Sequence, residues 1–157
     1  MSAPTKTYDV LIVGCGPVGA TLANLLRQRG HSVAIFDRDE EVFAAPRAMA
    51  IDPESCRIFQ WLGVQQRLEI EDARPAARHI FVDPQRKPLL ELYFTDAEER
   101  FGYSPAGLRF HQPSLERFLR DDFAKDAGID AFLGYEVLEV DGEGPMAQLK
   151  ARAQLRI

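Results

Sequence analysis

Between Tyr8 and Glu41 the chain reads YDVLIVGCGPVGATLANLLRQRGHSVAIFDRDEE. Gly14, Gly16 and Gly19 stand there in the spacing G-x-G-x-x-G. Glycines recur in many loops, so the spacing gains meaning only from its flanks. Before it, Tyr8 to Val13 is a short apolar run without alternation, the pattern of a strand buried on both faces of a parallel sheet. After it, Pro17 to Arg29 has helical periodicity, with Val18, Leu22, Leu25, Leu26 and Arg29 on one side. Pro17 suits a first turn, where its missing N–H has no intrahelical partner. Arg27 and Arg29 suit the negative end of the helix dipole, and Gly30 stands at the usual stop. His31 to Phe36 is a second apolar strand. The order strand, glycine turn, helix, strand is the βαβ unit in which this motif has physical meaning.

Each glycine then has a task. Gly14 lets the chain turn sharply off the first strand. Gly16, without a Cβ, lets backbone approach a pyrophosphate. Gly19 lets the helix lie close to the sheet. The helix N-terminus directs N–H groups and a positive dipole end at the phosphates. Asp37, 18 positions after Gly19, ends the second strand. An acid there accepts hydrogen bonds from ribose hydroxyls and repels a 2′-phosphate. The competing reading is that Asp37 merely begins the charged loop DRDEE. Taken with the strand, helix and glycines, it reads as part of a dinucleotide site.

Composition agrees with a folded domain. The 157 residues are 46% hydrophobic and 27% charged, the balance of a soluble globular chain rather than a disordered one. With 19 basic against 24 acidic residues the net charge is -5, which argues against nucleic acid as a partner. Cys15 and Cys56 have no metal-like spacing and read as reduced thiols in a cytoplasmic protein; no metal site is expected. The stretch from Val10 to Leu26 is almost free of charge and invites a targeting or membrane reading. Glycines, Pro17 and Asn24 interrupt it, and it is shorter than the roughly 20 apolar residues of a spanning helix.

Further on, Asp52 and Pro53 read as the cap and first residue of a helix ending at Gly63. From Ala73 to Gly107, HIFVDP and LLELYF are β-rich runs joined by DPQRKP, a hairpin-like excursion. Leu108 to His111 is a short strand. QPSLERFLRDDFAKDAG is a helix with Leu115, Phe118, Leu119, Phe123 and Ala127 on its buried side and Gly128 at its end. IDAFL and YEVLEV are strands, and Asp141-Gly142 sits in a turn after them. His31, His79 and His111 lie near strand ends with no nucleophile arrangement around them. Cys15, at a helix N-terminus, reads as a small residue filling a tight turn rather than as a reactive thiol.

The βαβ unit alone does not separate FAD from NAD. Three later stretches add to it: FDR at Phe36–Arg38, PRAMAIDPESCRIFQWLG from Pro46, and LRFHQPSLERFLR from Leu108. Together they resemble the single-component FAD-dependent aromatic hydroxylases, the p-hydroxybenzoate hydroxylase family, and among them the 3-(3-hydroxyphenyl)propionate hydroxylase type. The resemblance runs from about Tyr8 to Val140. It implies an α/β, Rossmann-like FAD-binding fold with a β-hairpin excursion, incomplete relative to the family. Residues 1–157 would be the N-terminal part of that FAD-binding domain, and 73–107 an excursion toward a substrate domain. It implies that Gly14, Gly16, Pro17, Val18 and Gly19 surround the FAD pyrophosphate and that Asp37 holds the adenosine ribose. Arg38 would lie along the adenine, Arg47 would reach the flavin side, and Gln112, with Arg109 nearby, the ribityl–pyrophosphate region. Each has a plainer alternative: Arg47 and Arg109 as solvated arginines, Gln112 as a helix cap.

The family's later Asp-Gly and Gly-Asp motifs and most of its substrate domain are not in these 157 residues. The resemblance thus implies the FAD-binding portion of a monooxygenase that hydroxylates phenolic compounds with NADH or NADPH and O2. No catalytic acid or base is assigned, and the chain alone is expected to be inactive, membrane-free and homo-oligomeric. Two alternatives stand beside this. One is an NAD-dependent dehydrogenase, disfavoured by PRA and QPSLERFL. The other is a truncated chain that binds nucleotide weakly or only self-associates.

Overall fold

The computed structural model describes residues 6–45, 47–71, 73–76, 78–93, 102, 107–123 and 128–154. The chain divides into two compact units, Met1–Ala44 with Glu116–Ile157, and Ala45–Leu115.

The first unit carries the βαβ core. Strand β1 (Val10–Val13) leads through the glycine turn into helix α1 (Pro17–Gln28), and the chain returns as β2 (Val33–Asp37). β1 and β2 pair in parallel from Val10 opposite Val33 to Val13 opposite Phe36. β2 also pairs in parallel with β8 (Ile129–Leu133), giving the strand order β1-β2-β8. Central β2 is the driest element: Val33, Ala34 and Ile35 are fully buried. Phe36 stacks on its register partner Phe132 at 4.7 Å between ring centroids. β9 (Tyr135–Asp141) and β10 (Gln148–Ala153) form an antiparallel hairpin. Its connection begins with the Glu143 N–H donated to the Asp141 carboxylate, so Asp141-Gly142 is the expected turn.

Two sequence expectations are corrected in this unit. β1 is not buried on both faces; Ile12 is its one buried residue and Val13 is 58% exposed, because among the described strands β1 lies at the sheet edge. Tyr8 precedes the strand, and its hydroxyl donates to Asp130 at the start of β8. The buried face of α1 is also not that of its large apolar residues. Ala20, Ala23 and Asn24 are buried, whereas Val18 is 84% exposed. Close approach selects small side chains: a Cβ on Gly19 would lie 1.9 Å from the Gly14 carbonyl oxygen and 3.3 Å from Ile12. The Asn24 amide meets its cost of burial by donating to the carbonyls of Ala20 and Leu119. α1 stops as its sequence predicts, with Gly30 at φ 86° and the N–H groups of Gly30 and His31 closing on Arg27 and Leu26.

The second unit holds β3 (Ala50–Ile51), α2 (Pro53–Leu62), α3 (Gln65–Glu71), β4 (Arg74–Pro75), β5 (Arg78–Val82), β6 (Pro88–Tyr93) and β7 (Leu108–Arg109). The two-residue strands form one antiparallel sheet ordered β3-β7-β4. Asp52 caps α2 by accepting the Ser55 N–H at 2.7 Å, Pro53 opens the helix, and Gly63 ends it at φ 74°. β5 and β6 make the expected hairpin, and the Asp83 carboxylate in its turn accepts the N–H groups of Gln85 and Lys87. Helix α4 (Gln112–Asp121) spans the sequence boundary between the units. Leu115, Phe118, Leu119 and Phe123 are buried as expected. Ala127 lies outside the described residues, and α4 ends before Gly128.

Candidate nucleotide site

The glycine turn is held from three directions within the first unit. The Gly14 N–H donates to the Phe36 carbonyl at 2.7 Å, continuing the β1–β2 ladder past the end of β1. Gly14 leaves the strand at φ 100°, which favours glycine. The Cys15 N–H donates to the Asp37 carboxylate at 2.6 Å. The Cys15 carbonyl accepts from Arg120, at 2.7 Å from Nη2 and 3.2 Å from Nε. The turn then feeds α1, where Gly16 is the N-cap, without a side-chain cap, and Pro17 is first inside.

That terminus fits an anion. The N–H groups of the first helical turn have no intrahelical acceptors, and the dipole places partial positive charge there. The first turn of α1 carries no acidic residue. A Cβ on Gly16 would meet nothing within 4 Å, so this side of the turn is open to an approaching group. A pyrophosphate has the charge and the acceptor oxygens to use it. These features fit the diphosphate of a dinucleotide such as FAD.

Asp37 stands beside this turn at the end of β2. Its second oxygen accepts the Asp39 N–H at 2.9 Å. Arg38 follows it, exposed. The structure therefore brings Gly14, Gly16, Pro17, Val18, Gly19 and Asp37 together in one place. Cys15 is buried, and burial pushes its thiol up to about 11. It is a protonated filler at neutral pH, not a nucleophile.

Arg47, Arg109 and Gln112 belong to the second unit. Gln112 is buried at the start of α4, and its side-chain carbonyl accepts the N–H groups of Arg47 at 3.1 Å and Ala48 at 2.8 Å. It thereby joins α4 to the loop that carries Arg47. His111 precedes the helix; its backbone carbonyl accepts the N–H groups of Ser114 and Leu115, and its ring nitrogen lies 3.0 Å from the Ser114 hydroxyl oxygen. Arg47 is exposed, and so is Arg109, on β7 opposite Ala50 and Arg74.

Sequence reasoning missed Arg120 and Glu116. Glu116 is buried in α4, one turn before Arg120, and its carboxylate lies 3.9 Å from the guanidinium. The acid–base spacing of four was visible in ERFLR, but many such pairs are ordinary surface pairs. Among the described residues no group of three or more His, Cys, Asp or Glu side chains could hold a metal, and no helix is long and apolar enough to cross a membrane.

Comparison with known proteins agrees with the geometry. A family model described as an FAD binding domain matches residues 7–156. A probable NADH-specific resorcinol 4-hydroxylase of Rhodococcus jostii is 34% identical over 139 residues, covering 88% of this chain and 26% of that protein. A 3-(3-hydroxy-phenyl)propionate/3-hydroxycinnamic acid hydroxylase of Mycolicibacterium smegmatis is 37% identical over 138 residues, covering 88% of this chain and 23% of its own length. The flavin-dependent monooxygenase PieE, solved with FAD and substrate, superposes with a TM-score of 0.76 at 25% identity, over 95% of this chain and 27% of that one. The chain thus spans about a quarter of the length of these relatives.

Proposed function

Because the chain belongs to the FAD-binding domain family, we propose that it forms the FAD-binding part of an aromatic-ring hydroxylase that uses NAD(P)H and O2. The observation that carries the reading is the open, acid-free N-terminus of α1 behind the pinned glycine turn, with Asp37 at the tip of β2. Gly14, Gly16, Pro17, Val18 and Gly19 cradle the pyrophosphate. The free lone pairs of Asp37 take the ribose hydroxyls, and Arg38 lies along the adenine. Arg47 and Gln112, with Arg109, serve the flavin side. FAD, when bound, supplies the redox chemistry; the protein binds, orients and shields it.

The substrate is a phenolic compound, the class named by the hydroxylases of Rhodococcus and Mycolicibacterium that the chain resembles. Residues 1–157 serve as the N-terminal part of the FAD-binding domain, with 73–107 reaching toward the substrate. Alone they would supply one wall of the cofactor site and leave the ring open to water, so the 157 residues by themselves would not hydroxylate. The exposed apolar residues of the β5–β6 hairpin, Phe81, Leu89 and Leu90 among them, favour self-association in a cytoplasmic protein. The test is reconstitution with FAD, followed by gel filtration with visible detection, light scattering and a hydroxylation assay on a phenol panel. Flavin should co-elute with an oligomer that does not hydroxylate. Colourless protein would refute the FAD reading, a monomer the assembly, and coupled hydroxylation the inactivity.

A further inference from the structure

We infer that Arg120 is a positioning residue for the glycine turn: by holding the Cys15 carbonyl it sets the direction of the Gly16 N–H toward the bound diphosphate. The inference rests on the FAD reading of that turn. The peptide joining Cys15 to Gly16 is trans, as no described bond is cis. In a planar trans peptide the carbonyl and the following N–H point in opposite directions. Whatever anchors the Cys15 oxygen therefore aims the Gly16 hydrogen the other way.

Arg120 anchors that oxygen with two donors of its planar fork, at 2.7 and 3.2 Å. A second anchor acts on the preceding peptide, whose N–H is bound to Asp37 at 2.6 Å. Both peptide planes at Cys15 are thus fixed, between two glycines whose own backbone freedom would otherwise let the turn flip. The guanidinium is itself held. Its side chain is mostly buried, Glu116 lies 3.9 Å away, and Nη1 reaches the Glu40 carbonyl at 3.5 Å. Nε and Nη2 are committed to the Cys15 carbonyl, so the effect of Arg120 on the diphosphate runs through the Gly16 amide. Buried Glu116 offsets its charge, which again leaves direction as its contribution.

The test compares Arg120→Met and Arg120→Lys in the 157-residue chain, by amide hydrogen exchange at single residues and by FAD titration. In the Met chain the Cys15 amide should exchange at least tenfold faster while Val33 and Ile35 of β2 keep their rates, and FAD affinity should fall at least tenfold. Lysine, with one donor within reach, should recover part of both. Unchanged exchange at Cys15, or faster exchange with unchanged FAD affinity, would overturn the inference. If Val33 and Ile35 also speed up in the Met chain, the Lys chain is judged by the same two readouts. A wild-type chain that binds no FAD refutes the functional reading instead, and exchange at Cys15 still decides whether Arg120 holds the turn.

Discussion

The Cys15 N–H donates to the Asp37 carboxylate at 2.6 Å, tying the turn after β1 to the tip of β2. The other oxygen of Asp37 accepts the Asp39 N–H at 2.9 Å. A carboxylate offers about four lone-pair sites, so two remain beyond these bonds, enough for the ribose hydroxyls of the proposed FAD. On the proposed reading, one side chain both shapes the glycine turn and holds the sugar.

Two substitutions separate these tasks. Asp37→Ala removes both and should weaken FAD binding by about 1.5–3 kcal/mol, the range for hydrogen bonds to a charged group. Asp37→Asn keeps an acceptor for the Cys15 N–H and should weaken it less. FMN lacks the adenosine half and should lose little affinity in the Asn chain. An equal loss for FMN and FAD in that chain would place the whole effect in the turn.

Gly16 and Gly19 should fail in different ways. A Cβ on Gly19 would sit 1.9 Å from backbone oxygen, so Gly19→Ala should lower the urea midpoint substantially before any ligand is added. A Cβ on Gly16 has free space in the protein and meets only the ligand. Gly16→Ala, which exchanges an N-cap glycine for a poorer capping residue, should lower the midpoint far less than Gly19→Ala and cost at least tenfold in FAD affinity, about 1.4 kcal/mol. Equal midpoints for the two variants would contradict the assigned packing.

Gln112 supplies one buried oxygen to two backbone donors, Arg47 and Ala48. Gln112→Leu should cost about 1–3 kcal/mol, the penalty for donors left unsatisfied, with exchange at Ala48 accelerated first. Gln112→Glu retains the acceptor and should recover most of the loss. A Leu variant as stable as wild type would remove this tether from the account.

Cys15 and Cys56 give stability a definite alkaline sign. Burial raises each thiol from 9.0 to about 11. A folded-state pKa above the unfolded one gives stability that is complete below pH 9 and is lost as pH rises toward 11. The urea midpoint should fall across that window, and the fall should be shallower when both cysteines are alanine. Parallel curves for the two chains would contradict it.

What was legible in the sequence was local. The strand–glycine–helix–strand order, the Asp52 cap, the Gly30 and Gly63 stops and the β5–β6 hairpin each depend on residues a few positions apart. The buried face of α1 was not legible, because apolar size points to Val18 and Leu22. Contact distance at Gly19 instead selects Ala20 and Ala23. β3 and β4 are two residues each, too short to show a period, and they exist through pairing with β7. The seven-residue α3 is likewise too short for its sequence to show a clear helical period. Asp37 was readable as a candidate ribose ligand, but its bond to Cys15 required the structure. Arg120 was hidden most fully, since its partner lies 105 positions away.

On the proposed reading the turn from Gly14 to Gly19 takes the diphosphate of FAD. Calorimetric titration of the chain with FAD and with NAD, at matched salt, tests it most directly. FAD should bind at least tenfold tighter than NAD. Equal or tighter binding of NAD would contradict it.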